Sequence, residues 1–357
     1  MQSEKLTELN HYRLLGRSGL RVSPLCLGTM TFGTEAGWGA DKQESQKVFD
    51  LYVDRGGNFI DTADAYTSGT SETYLGEFIQ SRREQLVLAT KYTCNTRQGD
   101  PNAGGNHRKN MIQSVEASLK RLKTDYIDLY WLHMWEFRTP VEEVMRAFDD
   151  LVRAGKVLYI GVSDTPAWKV SQANMLADLR GWTPLIGLQI EYSLVERTVE
   201  RDLIPMAREL NIGVVPWSPL GGGVLTGKYS RANQPEAKDN LETPVRQNFN
   251  EMMGKVTDKN LAIAEDVQKI AQEIGRSPAQ VALNWLLQKP GVISPIIGAR
   301  TVKHLEDNLQ CLDFVLSAEH REQLDQLSSI DLGFPHNFLA SDFIINTVIG
   351  GGTKIIG

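Results

Sequence analysis

The 357-residue chain holds only three cysteines, Cys26, Cys94 and Cys311, widely separated and odd in number. A disulfide framework needs an even, paired set and a zinc site needs clustered thiols or imidazoles, so neither is expected, no other metal site is evident, and the three are read as free thiols of a reducing compartment. A basic excess is also missing. The formal net charge of −6 argues against general attraction to nucleic acid or to an anionic membrane surface. No apolar run approaches the roughly 20 residues that cross a bilayer, and the opening MQSEKLTELNHYR lacks the apolar centre of a signal peptide. A cytoplasmic protein is the expectation. Nor is there a GxGxxG between an early strand and its helix, which removes the common dinucleotide-binding fold.

What the chain does contain is an ordinary globular balance, 41% hydrophobic and 23% charged residues, enough to bury a large core. Apolar runs rich in β-branched residues recur, each followed by a helical pattern and a turn signal. The runs read as strands are Leu25–Gly28, Asn58–Asp61, Leu86–Lys91, Ile127–His133, Val157–Ser163, Ile186–Glu191, Ile212–Ser218 and Val292–Gly298. Between them Met111, Val115, Leu119 and Leu122 share one helical face, as do Val141, Val144, Phe148 and Leu151, and later Leu203, Ala207 and Leu210. Strands alternating with amphipathic helices imply parallel pairing, because parallel strands need a crossover. Eight such units predict a closed α/β architecture, a (β/α)8 TIM barrel.

Arg13–Pro24, with the turn signals LGRSGLRVSP, is expected to form a hairpin across the barrel floor. Two stretches fall outside the repeat: a long loop after the seventh strand, Ser230–Asn250, and a tail from about Leu332 to Gly357. The tail mixes Phe, Ile and Gly and is expected to pack, with the barrel mouth as one place for it. One domain over residues 1–357 follows, with its barrel core at about 24–312 and a C-terminal helix and tail at 313–357. No heptad seam or unusually apolar helix face points to an oligomer.

Active sites of such barrels form at the C-terminal ends of the strands. Here FIDTADAY brings Asp61 and Tyr66, LVLATK brings Lys91, and LYWLH brings His133. Singly, these residues read as a helix cap, a packing phenol, a solvated rim charge and a core imidazole. Delivered to one rim by three consecutive strands, they make a proton-delivery group. A phenol with a reference pKa of about 10 is a poor acid, and a nearby ammonium is expected to lower it. Lys91 is placed to act on Tyr66, Asp61 to hold the lysine charged, and His133 to position a carbonyl.

At this point the chain resembles the aldo-keto reductase family, from about Leu14 to Leu309. The matching blocks, in family order, are LGRSGLRVSPLCLGTMTFG, FIDTADAY, LATKY, DLYWLH, GKVLYIGVSD, LQIEYSLVER, PWSPLGGGVLTGKY and PIIGARTVKHLEDNL. The resemblance implies carbonyl reduction by NADPH, with Asp61, Tyr66, Lys91 and His133 as the catalytic tetrad and Tyr66 as general acid. For the cofactor it implies Ser163, Asp164 and Gln189 at the carboxamide, Tyr192 as an aromatic platform, and Trp217, Ser218, Pro219, Leu220 and Gly222 around the pyrophosphate. Thr29, Met30, Gly298, Asp307 and Asn308 complete the implied set, with Lys228, Arg246 and Arg300 as cationic contacts. Arg300 in GART resembles the residue meeting the adenosine 2′-phosphate, which a guanidinium fork suits.

Two departures from the family pattern stand out: Asp164 where Asn is common, and His304 where many members carry Gln near the adenine. The glycines of PLGGGVLTGK are expected to let backbone amides approach phosphate oxygens. Gly222–Lys228 also spells GxxxxGK, but Tyr229 replaces the Ser or Thr of a nucleoside-triphosphate P-loop and SRANQP is a poor helix start. Two further readings are a lyase using Lys91 as a Schiff-base amine and an NADPH-binding regulatory partner. The presence of all four polar groups favours the reductase. Met30, Phe32 and Trp38 after the first strand, Trp135 after the fourth, and the tail around Phe334–Phe343 are candidates for an apolar substrate pocket.

Overall fold

The computed structural model describes residues 8–35, 37–228 and 254–350. Arg246 and the stretch Ser230–Asn250 lie outside the described residues. A short antiparallel pair, β1 (Arg13–Leu14) and β2 (Arg21–Val22), comes first. The barrel strands follow: β3 (Cys26–Gly28), β4 (Phe59–Asp61), β5 (Val87–Tyr92), β6 (Ile127–Leu132), β7 (Val157–Ser163), β8 (Leu185–Glu191), β9 (Gly213–Trp217) and β10 (Ile296–Gly298). All eight pair in parallel, in the order β10-β3-β4-β5-β6-β7-β8-β9. The cylinder closes where Val214 N–H donates to the Gly291 carbonyl at 3.1 Å and Ile293 N–H to the Val214 carbonyl at 2.8 Å. This is the predicted TIM barrel. The last strand is shorter than expected because Pro295 has no N–H to give the ladder, although its carbonyl still accepts from Cys26 N–H at 2.9 Å.

Helices cover the outside with the faces the periodicity assigned. In Arg108–Leu122, Met111, Val115 and Leu122 are buried; in Val141–Arg153, Val141, Val144, Phe148 and Leu151 are. The latter helix carries Glu142 and Glu143 in its first turn and Arg153 in its last, which suits the helix dipole at both ends. Pro278–Leu287 starts with proline behind a Ser277–Gln280 capping box.

Inside the barrel one aromatic ring sets the packing. Trp131 on β6 lies beside Gly161 on β7, which pairs with Gly187 on β8. A Cβ at Gly161 would come within 2.4 Å of the Trp131 ring and one at Gly187 within 2.7 Å. Those glycines are therefore the space the indole occupies. Below it, Leu15 and Val22 from the N-terminal hairpin join Cys26, Phe59, Ala89, Ile186 and Val215 in the interior cluster. The Arg13 guanidinium fastens the hairpin by donating to the carbonyls of Val292 at 3.0 Å, Ile293 at 3.1 Å and Leu287 at 3.3 Å. The hairpin thus plugs the floor, as its sequence predicts.

The tail behaves differently from expectation. The helix Ala318–Leu327 docks through Leu324, but the short helices His336–Leu339 and Asp342–Ile349 leave Phe334 84% and Phe343 73% exposed. It is tied back by Arg201 donating to the Asp331 carbonyl at 2.8 Å and by His336 near Asp202 at 3.5 Å. Its phenylalanines are not packed into the core; Phe334, Phe338 and Phe343 stay exposed. No helix among the described residues is long and apolar enough to cross a membrane.

The floor is sensitive at Gly16, which has φ +56° and would place a Cβ 2.3 Å from the Ile186 carbonyl oxygen and 2.8 Å from Gly213 N. Both neighbours are backbone and neither can rotate away. Gly16→Ala should lower unfolding free energy by about 3 kcal/mol through combined overpacking and left-handed strain. Chemical denaturation checks this, and a loss under half a kcal/mol by the same scale of effects would refute the plug as described.

Candidate active site

The C-terminal ends of adjacent strands bring the predicted polar residues together. Gly28 pairs with Asp61, Asp61 with Ala89, Lys91 with Trp131, and Ser163 with Gln189. Lys91 lies two residues past Ala89, on the same face of its strand, from where its side chain reaches Asp61 on the neighbouring strand. The Asp61 and Lys91 side chains are 2% and 0% exposed and form an ion pair. The Lys91 ammonium also donates to the Thr62 carbonyl at 3.0 Å and to the Tyr66 hydroxyl at 3.1 Å. All three of its protons are therefore placed. Gln189, four strands round the barrel, donates to the free Asp61 oxygen at 2.9 Å.

Tyr66 stands in the turn after β4, where Thr67 and Ser68 adopt φ +45° and +55°. His133 follows β6, its ring edge-on to Tyr66 at 6.0 Å between centroids. The four groups thus converge at one side of the rim.

Burial dominates the electrostatics. Desolvation opposes the charge on Lys91, but the Asp61 carboxylate and Tyr66 oxygen outweigh it and hold the ammonium pKa above its ordinary value. Burial and Lys91 together hold His133 down at about 3, so the imidazole is neutral. Tyr66 differs from expectation. Burial raises its phenol, Lys91 pulls it down, and Asp61 pushes it back up, with a net rise. The nearby ammonium offsets desolvation without overcoming it.

Other implied residues fall into two groups. Ser163, Asp164, Trp217, Ser218 and Gly298 sit at or just past the ends of β7, β9 and β10, Leu220 is half-buried in the loop after β9, and Met30 lies 40% exposed beyond β3. Asp164, at φ +39°, accepts from the Trp217 indole at 3.0 Å; burial lifts its carboxyl to about 6, with Glu191 adding repulsion and the indole opposing. Exposed Lys228 follows the glycine loop. Lys228, Arg300 and Lys303 all act on His304 at the start of the helix Val302–Leu309; burial first and then those charges hold its pKa down. A cationic cluster results.

The second group is committed elsewhere. The Tyr192 ring is 2% exposed, packs edge-on to Trp285 at 5.8 Å and donates its hydroxyl to Glu200 at 2.6 Å. It has no open face for a cofactor, so the platform reading of Tyr192 does not fit; half-buried Trp217 is the aromatic at that rim. Phe32 and Trp135 are likewise core residues, 0% and 8% exposed, whereas Trp38 is half-buried near the rim. Thr29 gives its hydroxyl to the Asp61 carbonyl at 3.1 Å, Asp307 accepts from Ser277 and Gln280 at 3.0 and 2.8 Å, and Asn308 donates to the Gly298 carbonyl at 3.5 Å. Pro219 is buried under its loop.

The glycine loop also has a different reason from the one expected. Gly221, Gly222 and Gly223 take φ of +59°, +68° and +99°, which side-chain-bearing residues resist. Their N–H groups turn inward: Gly221 to the Ser218 carbonyl, Gly222 to the Ser218 hydroxyl and Gly223 to the Leu220 carbonyl, at 2.8, 2.9 and 3.0 Å. The glycines shape the loop and do not present free amides.

Two residues at the site escaped the sequence reading. Cys94, three positions past Lys91, has its Sγ 3.6 Å from His133 Nδ1. Asp64, inside FIDTADAY, is 3% exposed and neither oxygen has a hydrogen bond of normal geometry. Proximity to the strand ends was the only signal for either.

Comparison with known proteins adds to the geometry. The Aldo/keto reductase family pattern matches residues 24–329. The chain is 40% identical over 349 residues to norsolorinic acid reductase of Aspergillus flavus, covering 94% of this chain and 86% of that protein. It is 38% identical over 349 residues to the aryl-alcohol dehydrogenase [NADP(+)] of Phanerodontia chrysosporium, covering 93% and 90%.

Asp64 yields a pH test. Burial, then repulsion by Glu72, raises its carboxyl to about 7 against the pull of Arg121. Above about pH 4 the unfolded chain loses this proton while the folded chain keeps it, so rising pH removes up to about 4 kcal/mol of stability before levelling near pH 7. Asp64→Asn should therefore exceed the parent in Tm by more at pH 8 than at pH 5. Calorimetry showing an equal difference at both pH values would contradict this.

Proposed function

The chain belongs to the aldo/keto reductase family and is an oxidoreductase acting on carbonyl and alcohol groups, and from that premise we propose that it reduces aldehydes or ketones with NADPH, Tyr66 acting as general acid. The observation that carries this reading is the Lys91 ammonium, which bridges the Asp61 carboxylate and the Tyr66 hydroxyl. Because the phenol oxygen accepts from Lys91, its own hydrogen is left for another acceptor in the pocket.

The roles follow from the charges. A phenol raised above its usual pKa is fully protonated near neutral pH, which is the state a proton donor needs. Bound NADPH supplies the hydride that turns the carbonyl carbon into an alcohol carbon. As negative charge grows on the substrate oxygen, Tyr66 hands over its proton and the Lys91 charge stabilises the phenolate left behind. Asp61, held by Gln189, keeps Lys91 charged through the cycle. Neutral His133 donates or accepts one hydrogen bond without bringing a competing charge. In alcohol oxidation the phenolate takes the proton back.

The residues at the rim fit a phosphorylated dinucleotide. Lys228, Arg300, Lys303 and His304 gather at a helix start, where positive charge and the dipole favour an anion, and Arg300 carries the fork that suits a 2′-phosphate. Ser163, Asp164, Gln189 and Trp217 would hold the nicotinamide end. Lys91 is unsuited to a Schiff base, since its raised pKa keeps it charged and its side chain has no exposed surface. The relatives' names refer to aryl alcohols and to norsolorinic acid, which makes aryl aldehydes the first substrates to try.

NADPH oxidation with an aryl aldehyde panel tests the reading. Tyr66→Phe should lower kcat at least about 10²-fold while fluorescence titration shows unchanged NADPH affinity; equal turnover in both proteins would sink the assignment. Arg300→Ala should weaken NADPH binding about tenfold or more and leave NADH binding nearly unchanged. Equal losses for the two cofactors would remove Arg300 from the 2′-phosphate.

A further inference from the structure

We propose that Cys94 is a positioning residue for the reduction: its thiol hydrogen-bonds His133 Nδ1 and so holds the imidazole in the tautomer whose proton sits on Nε2, the nitrogen left to meet the substrate carbonyl. The inference rests on the reductase reading above and adds to it the device that sets the histidine's polarity.

The contact is direct, with Sγ 3.6 Å from Nδ1, within sulfur hydrogen-bonding reach. A neutral imidazole has one nitrogen that donates and one that accepts, and the bond made by one decides the state of the other. His133 is neutral because burial and Lys91 hold its pKa near 3. Burial, with Asp64 second, lifts the Cys94 thiol to about 11, so the sulfur keeps its hydrogen. A thiol is a weak donor and a weaker acceptor, whereas an unprotonated imidazole nitrogen is a good acceptor. The favoured arrangement is S–H donating to Nδ1, with the ring proton on Nε2.

The backbone is bent to make this contact. Thr93, between the end of β5 and Cys94, has φ +121°, a conformation that a β-branched residue adopts only under constraint. The constraint is visible. Thr93 Oγ1 donates to Asn106 Oδ1 at 2.9 Å and accepts from His133 N–H at 3.3 Å, and the Thr93 carbonyl accepts from Gly105 N–H at 2.7 Å. The turn that carries Cys94 is therefore pinned to the His133 backbone itself. Sulfur and imidazole are held by one hydrogen-bonded unit, and the Tyr66 ring stands edge-on to the same imidazole.

The test is ¹⁵N NMR of histidine-labelled protein, with the His133 signals identified by their loss in His133→Gln. In the parent, Nδ1 should be pyridine-like and Nε2 pyrrole-like. Cys94→Ser should keep that pattern and near-parental kcat, since a hydroxyl also donates. Cys94→Val, which has no donor, should give mixed tautomers and a kcat lowered about fivefold, the net worth of one neutral hydrogen bond, with NADPH affinity unchanged. A parent carrying the proton on Nδ1, a valine variant with parental tautomer, or a shifted tautomer with parental kcat would each overturn the proposal. Failure of the underlying reductase reading registers separately, as undiminished turnover in Tyr66→Phe.

Discussion

A lysine with no exposed surface keeps its charge only if a partner replaces water, and here that partner is Asp61 on the neighbouring strand. Removing one member of such a buried pair typically costs about 3–5 kcal/mol, because the other charge is stranded. The arrangement of the rim follows from meeting that demand. Gln189 takes the second Asp61 oxygen, the Thr62 carbonyl takes a second Lys91 proton, and Tyr66 takes the third. The phenol that would perform chemistry is thus also the last hydrogen-bond partner that the buried ammonium requires.

The same desolvation that makes the pair necessary sets the proton states around it. It keeps Tyr66 protonated and His133 neutral, so the pocket holds its donors uncharged beside a single fixed cation. The expectation that Lys91 makes Tyr66 a stronger acid leaves out burial and the Asp61 carboxylate, both of which raise the phenol. The ammonium does pull in that direction, but burial is larger. An acid that waits for a developing alkoxide has no need of a low resting pKa, and the fixed cation acts when the phenolate forms.

Much of the barrel was legible because it depends on local patterns. Seven of the eight apolar runs, and the helical faces between them, appear where periodicity put them to within a residue, while the last strand begins four residues late because Pro295 cannot donate to the ladder. The convergence of Asp61, Tyr66, Lys91 and His133 was legible too, since strand ends of a closed barrel must meet. Individual aromatic residues were not. Phe32 and Trp135 follow strand ends yet turn inward, Tyr192 turns its hydroxyl to Glu200, and the tail phenylalanines remain outside. Periodicity assigns a residue to a face of its own element, whereas these sit in loops where direction depends on the neighbouring elements.

What the amino-acid sequence determined by itself is the alternation of strand and helix, the closing of eight such units, and hence the ring on which four polar groups gather. What only the tertiary structure decided is the state and partner of each group there. Examples are the inward-turned amides of the glycine loop, the bond from Gln189 to Asp61, the contact between Cys94 and His133, and the net rise of the Tyr66 pKa. The physical reason is range. Hydrophobic periodicity and turn chemistry act over a few residues, while desolvation and hydrogen-bond direction depend on atoms that the fold brings together from distant parts of the chain.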